Sequence, residues 1–207
     1  MDDVTWLTDS HLGQMLTLTV VRSDDAEAVL RAFAGNDPHT IHRRMPGPLG
    51  DLDTTADLAD PEVQESDPAD DGRVPVWGHA RDGWVLVTEP GSFRGSEEEV
   101  LLRLPTSRCA SVTWHVNGGE EFRYVEDGRL VSHADVLAAL TDDDDRDARV
   151  ATWLHDVPAD DDPDVDGPDP QAVALLLLER ATGVRPGEQD LSARQHLLLV
   201  KDGNANL

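Results

Sequence analysis

Four groups of residues have types and spacings that could carry chemistry. Glu89 closes an apolar run, Trp84-Val-Leu-Val-Thr-Glu89, where burial could raise its pKa and make it a general acid or base. The structural alternative, which the sequence favours, is a carboxylate that accepts hydrogen bonds from the following Gly91–Arg94 loop. His39 and His42 are three residues apart, a spacing that on a helix presents two imidazoles to one metal. Pro38 and Pro46 flank the pair, and a third ligand such as Asp51 or His79 would have to come from folding, so a solvated loop is the expectation.

Asp162, Asp164 and Asp166, followed by Gly167, reproduce the first half of a calcium loop, in which hard oxygen ligands alternate along the chain. The second half departs from the pattern. Val173 stands where the bidentate glutamate belongs, and a proline follows the glycine. An acidic linker is therefore the plainer reading, with low-affinity calcium as the only cofactor suggested; no other cofactor motif is present.

Cys109, Ser111, Thr113 and His115 alternate along one strand and so share a face. A Cys/His or Ser/His nucleophilic pair fails on distance. Six strand residues separate Cys109 from His115 by about 20 Å, and four separate Ser111 from His115 by about 13 Å. The polar outer face of a sheet is expected there instead, and a nucleophile on it would need a base from elsewhere, such as His79 or His133. No GxGxxG, Walker, HExxH or GxSxG pattern occurs.

The elements that would position these groups can be read from periodicity. Residues 14–22 alternate and predict a strand; Asp24 with Glu27 predicts a capping box, and Ala26, Val29, Leu30 and Phe33 a helix ended by Gly35. Residues 36–72, rich in proline and acid, predict a mobile loop. Residues 73–90 predict a hairpin turning at Asp82-Gly83, with 84–87 in a central strand.

A helix over 97–103 and a three-stranded meander over 108–133 follow. A three-residue loop at 117–119 would set Trp114 opposite Phe122 and Val112 opposite Tyr124. It would also put Ala110, Val112, Trp114, Phe122 and Tyr124 on one face. Helices are predicted over 134–140, 146–155, 171–182 and 186–199, with an Asp/Pro linker at 156–168. The fold class is then α+β: a mixed or largely antiparallel sheet of about five to six strands with flanking helices. A core domain over 1–140 precedes an acidic hinge and helical C-terminal section over 141–207.

Composition bounds the function. The chain of 207 residues carries a net charge of −25. Residues 51–72 hold nine acids and no base, and residues 140–169 hold twelve acids and two bases. Clustering of this kind fits high-GC coding better than an evenly acidic halophilic surface. Direct nucleic-acid binding is disfavoured, because phosphates repel such a chain. A membrane span is disfavoured too, since no apolar run approaches the roughly 20 residues it needs. A single cysteine excludes an intrachain disulfide, and with no signal-peptide pattern the expected compartment is a reducing cytoplasm.

The stretch from Trp6 to about residue 133 resembles an uncharacterised actinobacterial family of unknown function. The resemblance rests on LTLTVVRSDDAEAVLRAFAG, DGWVLVTEPGSFRGSEEEVLLRL and VTWHVNGGEEFRYVEDGRLV, with a later ERATGV. It implies a shared fold and carries no catalytic residues.

The function expected from these features is a non-enzymatic acidic interaction domain, regulatory or immunity-type, that binds a basic protein. Trp6 and Trp153 are candidate interface anchors, and Asp142, Asp143, Asp144 and Asp145 candidate charge contacts. One alternative is a DNA mimic that inhibits a nucleic-acid-binding protein. Another is an enzyme using Glu89 with histidines from the sheet.

Overall fold

The structure, a computed structural model, describes residues 4–8, 12, 15–35, 41–47, 73–115, 117, 119–141, 147–157 and 168–201. Its centre is one sheet of eight strands, every pair antiparallel. The strands are β1 (Met15–Arg22), β2 (Ile41–Pro46), β3 (Arg73–Arg81), β4 (Trp84–Pro90), β5 (Arg108–His115), β6 (Glu121–Glu126), β7 (Arg129–Asp135) and β8 (Arg194–Lys201). Their order across the sheet is β2-β8-β3-β4-β1-β5-β6-β7. The helices are α1 (Thr5–Thr8), α2 (Ala26–Ala34), α3 (Glu98–Arg103), α4 (Val136–Thr141), α5 (Ala148–Trp153), α6 (Pro170–Thr182) and α7 (Glu188–Ser192). The architecture is α+β, as expected, but with eight strands rather than five or six.

Strand parity divides the core in two. Leu16, Leu18, Val20, Val112 and Trp114 point to a face covered by α4, α5 and α6, joined by Leu7, Leu12 and Leu191. Val21, Val85, Val87 and Cys109 point to the opposite face, covered by α2 and α3 through Val29, Leu30, Phe33, Val100 and Leu101. With both faces buried, central strands need apolar residues at successive positions, which is why β4 is buried from Trp84 to Glu89. The first cluster draws on residues before and after position 140 alike.

Local chemistry explains most boundaries. The two Asp-Gly turns place both residues at positive φ, 52° and 79° at Asp82-Gly83 and 50° and 71° at Asp127-Gly128. That is the tight hairpin turn in which aspartate and glycine are tolerated best. The cap of α2 is Asp25 rather than Asp24; its carboxylate accepts from the Ala28 N–H. Asp147 and Asp169 cap α5 and α6 in the same way.

Four expectations change. Residues 41–46 are a strand, β2, paired with β8, and not loop. Residues 194–201, expected to be helical, form β8 between β2 and β3, so the C-terminal section is not wholly helical. A buried Leu197–Val200 run suits either structure by periodicity; the open edge of β3 selects the strand. The β5–β6 register is shifted by two residues: Val112 faces Phe122 and Ala110 faces Tyr124. A two-residue slip keeps every side chain on its face, so the apolar grouping of Ala110, Val112, Trp114, Phe122 and Tyr124 stands. Finally, Cys109, Ser111 and Thr113 do not form a polar outer face. They are buried beneath the second helical layer.

Candidate functional site

On the α2–α3 face, the middle of the sheet carries hydroxyls where the flanks carry valines. Thr17 in β1 stands opposite Glu89 of β4 on one side and Thr113 of β5 on the other. Thr19, next on the same face, stands opposite Ser111. Thr17 Oγ1 lies 2.9 Å from Thr113 Oγ1, and Thr19 Oγ1 lies 3.1 Å from Ser111 Oγ. All five residues are buried. The hydroxyls satisfy one another, which is what allows a polar stripe inside a covered sheet.

The segment after β4 folds back over this stripe. The Gly91 N–H donates to the Met15 carbonyl, and Thr17 Oγ1–H donates to the Ser92 carbonyl at 2.7 Å. Ser92 Oγ lies 3.2 Å from Glu89 Oε2, and the Gly95 N–H donates to Glu89 Oε1 at 2.9 Å. Arg94 extends its guanidinium to the Phe33 carbonyl of α2, fastening the segment to the helical layer.

Glu89 is fully buried, and burial pushes its carboxyl up to about 8. The Gly95 and Ser92 hydrogen bonds and the nearby Arg94 charge oppose that rise without cancelling it. The carboxyl is therefore mostly neutral at pH 7, and both its oxygens are engaged by the folded-back segment. Burial also pushes the Cys109 thiol up to about 12, far from a reactive thiolate.

Beside the stripe lies an open hollow of about 410 Å³, lined by Phe93, Ser96, Thr113, His115, Gly119 and Glu121. That size falls within the roughly 300–1,000 Å³ of small-ligand sites. The Phe93 and His115 rings form one wall, with centroids 6.0 Å apart and tilted by 52°. His115 Nδ1 accepts from the Asn117 N–H at 3.1 Å, so in the neutral ring the proton sits on Nε2. Glu121 Oε2 takes Arg123 at 3.1 Å and has His133 Nε2 at 3.9 Å. Thr113 belongs to both the stripe and the hollow.

Of the histidines considered as partners of Glu89, His115 and His133 lie on its side of the sheet. His79, opposite Leu86, lies on the other side near Arg81, Trp84 and Asp190. Trp6 and Trp153 are partly buried against the α6 side of the core, and Trp153 meets Phe122 and Tyr124 edge-on at 5.7 and 5.4 Å. His42 lies in β2. His39, Asp51, the run Asp142–Asp145 and the triplet Asp162, Asp164 and Asp166 lie outside the described residues. Among the described residues no group of three or more His, Cys, Asp or Glu side chains is placed to hold a metal, and no helix is long and apolar enough to cross a membrane.

Sequence reasoning missed Thr17, Thr19, Phe93, Ser96, Gly119 and Glu121. The available signal was the alternation Leu-Thr-Leu-Thr in β1 matched by Ser-Val-Thr in β5. Two hydroxyl stripes of equal period read as a pair only once β1 is known to neighbour β5.

A family model matches residues 1–200, and the chain belongs to that family, a family of unknown function (DUF6461). No curated protein and no solved structure matches it.

Proposed function

We propose that this member of the family is an acidic protein-interaction domain, regulatory or immunity-type, that binds a basic protein partner. The observation that carries the reading is the charge imbalance: 42 acidic against 17 basic side chains, a net charge of −25. A field of that sign raises the encounter rate with cationic surfaces and repels anionic ones. The described sheet supports the reading by offering a rigid platform, since the buried hydroxyls of Thr17, Thr19, Ser111 and Thr113 and the Glu89 carboxyl are satisfied internally. Recognition then falls to surface charge and to the hollow beside Phe93.

The test is affinity capture by the full chain at low and high salt, followed by titration of the captured protein. Screening shortens from about 30 Å at 0.01 M salt to about 3 Å at 1 M. One stoichiometric basic partner whose affinity collapses over that range is expected. A partner of neutral or acidic charge, or an affinity indifferent to salt, sinks the proposal.

A further inference from the structure

The hydroxyl protons around the hollow can be traced one by one. Thr17 has a single proton, and the Ser92 carbonyl at 2.7 Å, which has none to give, must receive it. The contact between Thr17 and Thr113 therefore runs the other way, with Thr113 Oγ1–H donating to Thr17. Ser96 spends its proton on the Phe93 carbonyl at 2.7 Å. Thr113 and Ser96 thus meet the hollow with lone pairs alone.

Glu121 adds a carboxylate. Both its described contacts fall on Oε2, and Oε1 has no protein partner among the described residues. Among the described residues no lysine or arginine lines the hollow. The donor that remains among these side chains is His115 Nε2–H, because Nδ1 is occupied by Asn117. The hollow is thus an aromatic-walled cup with three side-chain acceptors, one of them a carboxylate whose other oxygen takes Arg123, and one donor.

A ligand complementary to that cup is rich in donors, cationic and flat on one face. A guanidinium has five N–H donors in a plane, no acceptor and a permanent charge, and it stacks on aromatic rings. An ammonium matches the charge but not the plane. We propose that the hollow beside Phe93 and His115 is a guanidinium pocket that seats an arginine side chain of the partner. Glu121 Oε1, Thr113 and Ser96 accept its N–H groups, Phe93 and His115 flank its plane, and His115 Nε2–H meets a carbonyl of the arginine's own backbone. The inference rests on the reading of a basic partner and names the residue type that the partner inserts.

The experiment titrates the full chain with three capped tripeptides, Gly-Arg-Gly, Gly-Lys-Gly and Gly-citrulline-Gly, followed by amide chemical shifts and calorimetry. Citrulline keeps the shape and loses the charge. The arginine peptide is expected to shift Thr113, His115 and Gly119, and to bind at least about tenfold tighter than the citrulline peptide and more tightly than the lysine peptide. Glu121→Gln, whose fold is checked by its melting temperature, is expected to lower arginine-peptide affinity at least about tenfold. Equal binding of the three peptides, shifts elsewhere on the surface, or an unaffected Glu121→Gln overturns the pocket.

A long polyarginine probe separates the two ideas. If it binds wild type and Glu121→Gln alike and is released by salt, the pocket fails while the acidic-domain reading stands. If neither polyarginine nor the tripeptide binds, both fail.

Discussion

The Gly95 amide donates to Glu89 Oε1 at 2.9 Å, and a methyl group added at Gly95 would stand 2.6 Å from that same oxygen. Thr17 and Thr19 hem in the same point from the sheet below. The fold-back over the sheet therefore needs a residue without a side chain where it crosses the buried carboxyl. Gly95→Ala must lift the segment, stretch the bond to Glu89 and open the packing above Thr19. Overpacking of this kind costs about 1–3 kcal/mol, and loosening the hydrogen bond adds about 1 kcal/mol. Denaturant titration is expected to show a loss of roughly 2–4 kcal/mol; a loss below about 0.5 kcal/mol would mean that the segment does not sit on Glu89.

Glu89 makes stability depend on pH. Its folded pKa, about 8, lies above the ordinary value of 4.5 because burial disfavours the charged form. The neutral acid is thus favoured by folding. Its contribution is fully present below about pH 4.5, declines as pH rises, and is lost as pH passes 8. At about 1.4 kcal/mol per unit of pKa, the span is on the order of 5 kcal/mol. Glu89→Gln keeps an acceptor for Gly95 and cannot ionise; its amide nitrogen meets Ser92 as a donor, so the Ser92 hydroxyl must turn from donor to acceptor. Near pH 5 the variant should match wild type to within about 1 kcal/mol; near pH 8.5 it should be more stable by several kcal/mol. A wild-type-minus-variant difference that stays flat from pH 5 to 8.5 would show that the carboxyl is not buried in solution.

Cys109 reports on whether the second face of the sheet is covered. Its side chain is inaccessible beside Leu101, and burial raises the thiol to about 12. Native protein at pH 8 is expected to react with a thiol reagent only through unfolding, so that the rate follows global stability. Reaction within minutes, unaffected by stabilising conditions, would restore the open polar face that the sequence alone suggests.

That face marks where sequence reading stopped. The alternation of Cys109, Ser111, Thr113 and His115 was legible and correct as a face. What covers it was not, because α2 is far away in sequence and α3, although it directly precedes β5, does not declare by its apolar side which surface it meets. The hairpin turns were legible because Asp-Gly at positive φ is a local signal. Glu89 was legible as a carboxyl engaged by the next loop, since both belong to one continuous stretch. The hollow was not, for it joins Phe93 and Ser96 of one loop to Thr113, Gly119 and Glu121 of a later hairpin. Nothing local in either segment announces the other.

The last strand carries the sharpest difference between a helical tail and the sheet. β8 enters between β2 and β3, with Leu198 opposite Ile41 on one side and Val76 on the other. Leu198 is wholly buried in the cluster beneath α2. A docked helix could be trimmed with modest loss, whereas removing an interior strand strips hydrogen bonds from two neighbours at once and exposes their edges. A chain ending at Ala193 is therefore expected to lose cooperative unfolding and to aggregate. Leu198→Ala is the gentler probe. Its cavity should cost about 2–4 kcal/mol, which for a chain of this size lowers the melting temperature by roughly 5–15 °C. Amides of 197–200 should exchange only through global unfolding. Rapid exchange there, together with an unchanged melting temperature in Leu198→Ala, would remove β8 from the sheet and return the C-terminal segment to the periphery.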